Sequence, residues 1–202
     1  MISRGRGCVL MIMLAAAVVQ AEAANLVADP GFESGIPSSY TGSMGDGWVV
    51  TAGTGAICNI SGAACGNAGP SNSGSQMAFL DWSTTFNTIS QTLTTVVGQS
   101  YDISYWIFGD HPNLLQVTFG GSTLFSGTAP ASSTYVQYSF VSTATSTSTV
   151  LAFSGQRTVA GVELLDDVSV TAAPEPATWL LAFAALSGLA AMRRHRDQTP
   201  QQ

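Results

Sequence analysis

Residues with the chemistry of a hydrolytic site are few in this 202-residue sequence, and they are poorly placed for catalysis. Asp110 and His111 are adjacent and serines are plentiful, and in a catalytic triad an Asp–His pair helps to remove the proton of a serine. The Gly-x-Ser-x-Gly turn that presents such a serine does not occur in the sequence. Cleavage by paired carboxylates needs two acids in one cleft, whereas the acids here fall in predicted turns and at strand ends. We therefore predict a protein that is not an enzyme.

Aromatic side chains indicate binding instead, because their flat faces stack on sugar rings and exclude water from them. Trp106 stands out, since it alternates with polar residues on one face of a predicted strand. For Trp48 and Trp82 the alternative is a place in the hydrophobic core. The candidate ligand contacts are Tyr40, Trp48, Trp82, Trp106 and His111.

The charge of the chain limits its partners. Residues 25–173 contain nine acids and one base, Arg157, and the whole chain has no lysine. Nucleic acids bind mainly through phosphate neutralisation by Lys and Arg, so they are excluded as main partners, as are anionic lipid surfaces. Metal cations and neutral polymers such as glycans remain.

The N-terminus predicts export. Arg4 and Arg6 precede an apolar run at 9–19, and Ala21-Glu22-Ala23 supplies the small residues that signal peptidase requires. We expect residues 1–23 to be a signal peptide, with cleavage after Ala23 or Ala24. Cys58 and Cys65 then share a Gly-rich loop in an oxidising compartment, which predicts a local disulfide. A metal site at these cysteines would need further ligands, and His111 is the only histidine in residues 25–173.

The C-terminal tail, residues 174–202, predicts a membrane segment. An apolar helix at 177–192 would reach about 24 Å, somewhat less than the roughly 30 Å hydrocarbon core, and a basic end at 193–196 follows it. The tail resembles the PEP-CTERM sorting signal of Gram-negative bacteria. The resemblance implies an inner-membrane intermediate, cut by an exosortase-type membrane protease, and delivery to the cell surface or extracellular matrix. The residues that carry it are Pro174, Glu175, Pro176, Arg193, Arg194 and Arg196.

Residues 25–173 are predicted to form one all-β domain, an antiparallel β-sandwich of jelly-roll type. Short alternating segments separated by Gly, Pro, Asn and Asp are typical of such folds. The segment 35–74 is rich in glycine and, apart from 47–51, poor in periodic signal, and we expect it to be largely irregular and to take part in binding. The predicted strands are 76–82, 88–95, 101–108, 115–119, 123–125, 135–141, 149–153 and 162–170.

Three segments of this domain, 25–33, 89–101 and 162–170, resemble galactose-binding-domain-like β-sandwiches, a group that includes carbohydrate-binding modules. The resemblance implies a structural calcium ion held by Glu33 and by Asp166 or Asp167, with backbone carbonyls from 25–31. The alternative is a turn in which Asp166 or Asp167 accepts backbone hydrogen bonds.

Together these features predict an exported, non-enzymatic surface or matrix protein that contacts polysaccharide in an exopolysaccharide or biofilm. One alternative is a structural or adhesive surface protein that has no small ligand and whose Ser/Thr-rich face is itself glycosylated. The other is a polysaccharide hydrolase, which would require two carboxylates in a cleft.

Overall fold

The computed structural model describes residues 23–61, 65, 69–80, 83–174 and 187–188. In these residues two antiparallel six-stranded sheets face each other, so the predicted all-β sandwich is confirmed. The predicted signal peptide and most of the sorting tail lie outside the described residues, as does Trp82. Within the described part of the chain, no helix is both long and apolar enough to cross a membrane.

The strands alternate between the sheets along much of the chain. In sheet I the order is β1-β4-β5-β12-β7-β10, and in sheet II it is β2-β3-β6-β11-β8-β9. The bounds are β1 Ser38–Tyr40, β2 Ser43–Gly45, β3 Trp48–Ala52, β4 Gly55–Asn59, β5 Gln76–Phe79, β6 Asn87–Thr94, β7 Ser100–Gly109, β8 Leu114–Phe119, β9 Ser122–Thr128, β10 Val136–Thr143, β11 Ser148–Gln156 and β12 Glu163–Ala172.

Each of the eight predicted strands corresponds to one of the strands β5 to β12. The expectation for 35–74 was partly wrong, because this segment contains β1 to β4. These four strands have only three to five residues each. Only β3 coincides with the periodic signal at 47–51, and the other three strands contain too few residues for an alternating pattern to emerge from the sequence.

The main core lies between the two sheets and is built by strand alternation. On β7, Tyr101, Ile103, Tyr105 and Ile107 are buried. Trp48 lies in this core at 1 % exposure, with its ring centroid 5.1 Å from that of Phe32. A ring buried between two sheets cannot stack on a sugar, so the predicted ligand contact at Trp48 is wrong.

A second apolar cluster lies on the outward face of sheet I. Neighbouring residues on one strand divide between the clusters, with Leu165 in the main core and Leu164 in the second. The loop after β4 covers this cluster: a Cβ placed on Gly69 would lie 3.2 Å from Leu164 Cδ1. A Cys58–Cys65 disulfide, with Cα atoms 5.5 Å apart, ties this loop to β4. The buried members are Ala56, Cys58, Met77, Phe79, Phe108 and Leu164.

Candidate functional site

Beyond this loop, the outward side chains of β7 and β10 form an open surface, here called the groove face. Strand register places the side chains in facing pairs, since outward residues alternate with buried ones along β7. Polar groups make up most of the surface, and one aromatic ring lies at its end nearest the loop. The pairs are Trp106 with Gln137, Ser104 with Ser139, and Asp102 with Val141.

A shallow groove of about 400 Å³ runs along this surface, and apart from Trp106 all groove-face residues line it, together with Ile103 and Phe140. Trp106 is the next outward residue of β7 and is partly exposed. Among the groove-face residues the only charge is the exposed carboxylate of Asp102. From the residues that the structure describes, the groove therefore offers hydroxyl and amide groups beside an aromatic ring, and no cation.

Stacked aromatic rings on the inward side hold β7 and β10 together beneath the groove face. The Tyr105 and Tyr138 rings are nearly parallel, with centroids 5.4 Å apart. Phe140 stacks on Tyr105 at 6.1 Å, and Phe125 meets Tyr138 edge-on at 5.1 Å. Such packing restrains both strands, so the groove face is built on a rigid support.

The loop is held beside the groove face by Tyr135, the residue that directly precedes β10. The Tyr135 hydroxyl donates a hydrogen bond to the Pro70 carbonyl at 3.0 Å, and the Tyr135 ring packs 5.6 Å from that of Phe108. Burial, together with the nearby carboxylates of Asp166 and Asp167, raises the pKa of the Tyr135 hydroxyl. Tyr135 thus remains a neutral donor that fixes the loop beside the groove.

Acidic side chains hold the far end of the same loop. Asp166 Oδ2 accepts the backbone N–H groups of Asn72 at 2.8 Å and Ser73 at 3.2 Å. Asp167 accepts the side-chain amide of Asn72 and the hydroxyl of Ser73, each at 2.6 Å. Glu33 Oε1 accepts the N–H groups of Ser75 and Gln76, each at 2.7 Å.

The structure brings the predicted calcium ligands together around Gly31. A Cβ placed on Gly31 would lie 3.5 Å from Asp166 Oδ1 and 3.7 Å from Asp167 Oδ1. All six carboxylate oxygens of Glu33, Asp166 and Asp167 accept hydrogen bonds. This is the capped arrangement that the alternative describes, and in the described residues no group of three His, Cys, Asp or Glu side chains is placed to hold a metal.

Asp166 is expected to make stability depend on pH. Burial raises the pKa of this carboxyl to about 6. The N–H groups of Ser73 and Asn72 act to lower the pKa, and the charge of Asp167 acts to raise it. The folded state therefore binds the proton more tightly than the unfolded state. The free energy of unfolding should fall as pH rises from about 4 to about 6, by up to roughly 3 kcal/mol. Urea unfolding across this range in EDTA measures it.

The control for this prediction is Asp102→Asn, which removes an exposed carboxylate of the groove face. Asp166→Asn should flatten the pH dependence between pH 4 and 6, whereas Asp102→Asn should leave it unchanged. If wild type and Asp166→Asn had the same pH profile, Asp166 would not be the group responsible.

The other predicted contacts lie away from the groove face. Tyr40 is on β1, at the opposite edge of sheet I from β10, and its hydroxyl donates to the Ile36 carbonyl. His111 is exposed in the turn after β7, with Nδ1 3.0 Å from Asp110 Oδ1. Burial acts to raise the pKa of Asp110, but the Val162 N–H and the His111 ring hold it below its ordinary value. Of the predicted ring contacts among the described residues, Trp106 alone belongs to the groove face.

Sequence reasoning missed the residues that share the groove face with Trp106. Gln137, Ser139 and Val141 belong to β10, which pairs with β7 across about thirty residues of chain. The alternation of residues 135–141 is visible in the sequence and places these side chains on one face. Without the pairing of β7 with β10, nothing in the sequence connects that face with Trp106.

Two facing six-stranded antiparallel sheets define a β-sandwich fold, and the solved structures with a similar fold include carbohydrate-binding modules. The chain is similar to TmCBM61 in complex with β-1,4-galactotriose, at 14% identity over 74% of this chain and 99% of that one, with a TM-score of 0.53. It is also similar to the CBM22-1 xylan-binding domain of Paenibacillus barcinonensis Xyn10C, at 18% identity over 78% and 100%, with a TM-score of 0.52.

A third similar structure is part of an enzyme. The arabinose-bound MgGH51 α-L-arabinofuranosidase matches at 12% identity over 74% of this chain but only 26% of that one, with a TM-score of 0.51. No protein-family model matches the sequence, and no curated protein matches it. At these identities the likeness establishes the fold that the chain shares with these modules.

Proposed function

We propose that this protein is a non-enzymatic glycan-binding protein, built as a jelly-roll sandwich, that binds polysaccharide along its groove face. The observation that carries the proposal is the partly exposed Trp106, which adjoins a groove lined by Ser104, Gln137 and Ser139. An aromatic ring beside hydroxyl and amide groups is the combination that sugars need, since one sugar face is apolar and its edge is polar.

The charges of the groove favour a neutral glycan over an acidic one. Asp102 is the only charged residue in the described part of the chain that lines it, and residues 25–173 have one arginine against nine acids. A uronic-acid polymer would meet like charge with no cation to pair with its carboxylates. Neutral sugars bring hydroxyl groups that both donate to and accept from Ser, Gln and Asp side chains.

The test is binding of the purified protein to insoluble and soluble polysaccharides, both neutral (galactan, xylan, glucan) and acidic (alginate, polygalacturonate). We expect retention on at least one neutral polymer and none on the acidic polymers at physiological salt. Retention on no neutral polymer by folded protein would contradict the proposal and favour the structural or adhesive alternative. Release of reducing sugar would instead favour the hydrolase alternative.

A structural calcium ion at Glu33, Asp166 and Asp167 remains part of the proposal. The ligand type fits, because calcium binds carboxylate and carbonyl oxygens. To bind the ion, these carboxylates would have to give up some of the hydrogen bonds described above. We expect the thermal midpoint of the wild type to rise in millimolar calcium relative to EDTA, and Asp167→Asn to abolish the rise. An equal midpoint in both conditions would leave capping of the loop as the role of these acids.

Export and sorting belong to the same proposal. The Arg4–Ala23 segment and the Pro174–Arg196 segment support processing by signal peptidase and by an exosortase-type protease, with delivery to the cell surface or to an exopolysaccharide matrix. The intact mass of the protein recovered outside the producing cell checks both cuts. A mass that includes either segment would contradict the corresponding cut.

A further inference from the structure

One end of the sandwich, here called the tail end, is where the chain leaves the domain. Ala173 follows the last strand, and its N–H donates to the carbonyl of the first residue of β7 at 2.9 Å. The neighbouring turns are joined to each other, since Gly98 N–H donates to the Ala144 carbonyl at 2.8 Å. The tail end consists of Ala173 and of the turns 95–99, 120–121 and 144–147.

Two valines project from a tight turn at the tail end. Gln99 N–H donates to the Val96 carbonyl at 3.1 Å, and Gly98 has a φ of 83°, as in a type II β-turn centred on Val97 and Gly98. Val96 is 64 % exposed and Val97 is 59 % exposed. Turns are usually built from Gly, Pro, Asn, Asp and Ser. Here the backbone instead holds two branched apolar side chains out in the solvent.

The charges of the described domain lie away from the tail end. Its three turns contain only Thr, Ser, Val, Gly, Ala and Gln. On β7, Asp102 is two residues from the start of the strand. At the opposite end of the sandwich, Asp110 and His111 are exposed and Arg157 follows β11. The tail end can therefore approach an apolar medium without removing a charge from water, which would be costly.

The predicted tail determines what lies next to this end. This step rests on the proposed export and sorting, in which the apolar segment 177–192 enters the membrane. From Pro174 to residue 177 the chain spans at most about 10 Å. The headgroup layer on each side of a bilayer is roughly 5–8 Å thick, so the tail end is held at the headgroups. Because the apolar segment is shorter than the hydrocarbon core, its flanks are drawn further inward.

We propose that the tail end is a lipid-contacting surface, on which Val96 and Val97 enter the headgroup region of the bilayer that holds the tail. Burial of their side chains favours the contact. Uncharged or zwitterionic lipid is the partner, because the acidic domain is repelled by anionic headgroups. The ten residues of β7 lead away from this end over about 34 Å. Trp106, near the far end of β7, is then clear of the membrane and free to bind polysaccharide.

The test uses the exported chain with its tail, purified from a host that has signal peptidase but no exosortase-type protease, and inserted into phosphatidylcholine vesicles. A fluorophore is attached to a cysteine introduced at the tail end, Thr145→Cys, or in the exposed β11–β12 turn at the opposite end, Val159→Cys. The native Cys58 and Cys65 are paired in the disulfide. Nitroxide-labelled lipids should quench the Thr145→Cys label at least about threefold more strongly than the Val159→Cys label.

A charge at the valine turn tests which side chains make the contact. Val97→Asp should lower the quenching of the Thr145→Cys label at least about twofold, because a carboxylate resists entry into the lipid interface. Val159→Asp is the matched control, since it places the same charge on an exposed valine at the opposite end, and it should leave this quenching unchanged.

Flotation of the vesicles separates this inference from the proposal on which it rests. Protein that does not float with the vesicles would overturn both, because the tail would then not anchor the chain. Protein that floats while its two labels are quenched equally would overturn the lipid contact alone and favour a protein partner for the valine turn. Unchanged quenching in Val97→Asp would also overturn the contact through the valines.

Discussion

Trp106→Ala is expected to weaken binding to the preferred neutral polysaccharide by about 2 kcal/mol, or roughly 30-fold in Kd. The ring is partly exposed at one end of the groove and faces Gln137 across the β7–β10 pair. Removing it takes away the only aromatic ring of the groove face, while the polar groups remain. Affinity electrophoresis or isothermal titration with the soluble polysaccharide measures the loss.

Two further variants show whether the ring acts by stacking. Trp106→Phe keeps a flat apolar face and should retain most of the affinity. Val150→Ala removes an exposed side chain from a strand of the opposite sheet and should bind as the wild type does. Unchanged affinity in Trp106→Ala would place the binding surface elsewhere, and equal losses in the alanine and phenylalanine variants would argue against stacking.

Trp48→Ala is expected to have the largest effect on stability, at about 3–5 kcal/mol. The ring is almost fully buried, and its centroid lies 5.1 Å from that of Phe32 and 6.2 Å from that of Phe153. Its Nε1 also donates to the Asp29 carbonyl at 3.1 Å. The substitution therefore leaves a large cavity and frees the turn that carries Gly31. The free energy of unfolding from urea titration measures the loss.

Trp48→Phe separates the two contributions, because it keeps most of the packing and removes the Nε1 donor. The Asp29 carbonyl still accepts the Phe32 N–H, so the lost hydrogen bond should cost about 0.5–1.5 kcal/mol. This variant also keeps the test informative if Trp48→Ala fails to fold. A loss below about 1 kcal/mol in the alanine variant would be inconsistent with a core position.

The contrast between Trp48 and Trp106 shows which side-chain orientations could be predicted from the sequence. On β7 the apolar residues Ile103, Tyr105 and Ile107 alternate with polar ones, so the outward position of Trp106 was predictable. On β3, Trp48 is followed by Val49 and Val50, and apolar residues at consecutive positions do not say which face is buried. The register of the strand and the packing of Phe32 decide which face of β3 is buried, and neither can be read from the sequence.

The acids around Gly31 were predicted to form one site for a different reason. Glu33, Asp166 and Asp167 stand in segments that resemble known sandwiches, so their meeting was expected although 133 residues separate Glu33 from Asp166. Their partners Asn72 and Ser73 lie in a loop without periodic signal. Where that loop docks depends on the cluster beneath it and on Tyr135, so its contacts could not be read from local pattern.

The groove follows β7 and β10, and β10 is the last strand in the order of sheet I. A polymer bound there would lie along one edge of the sandwich and contact only one side of the protein. The rest of a long polymer would then be accessible to further copies, so many copies would line up along one chain.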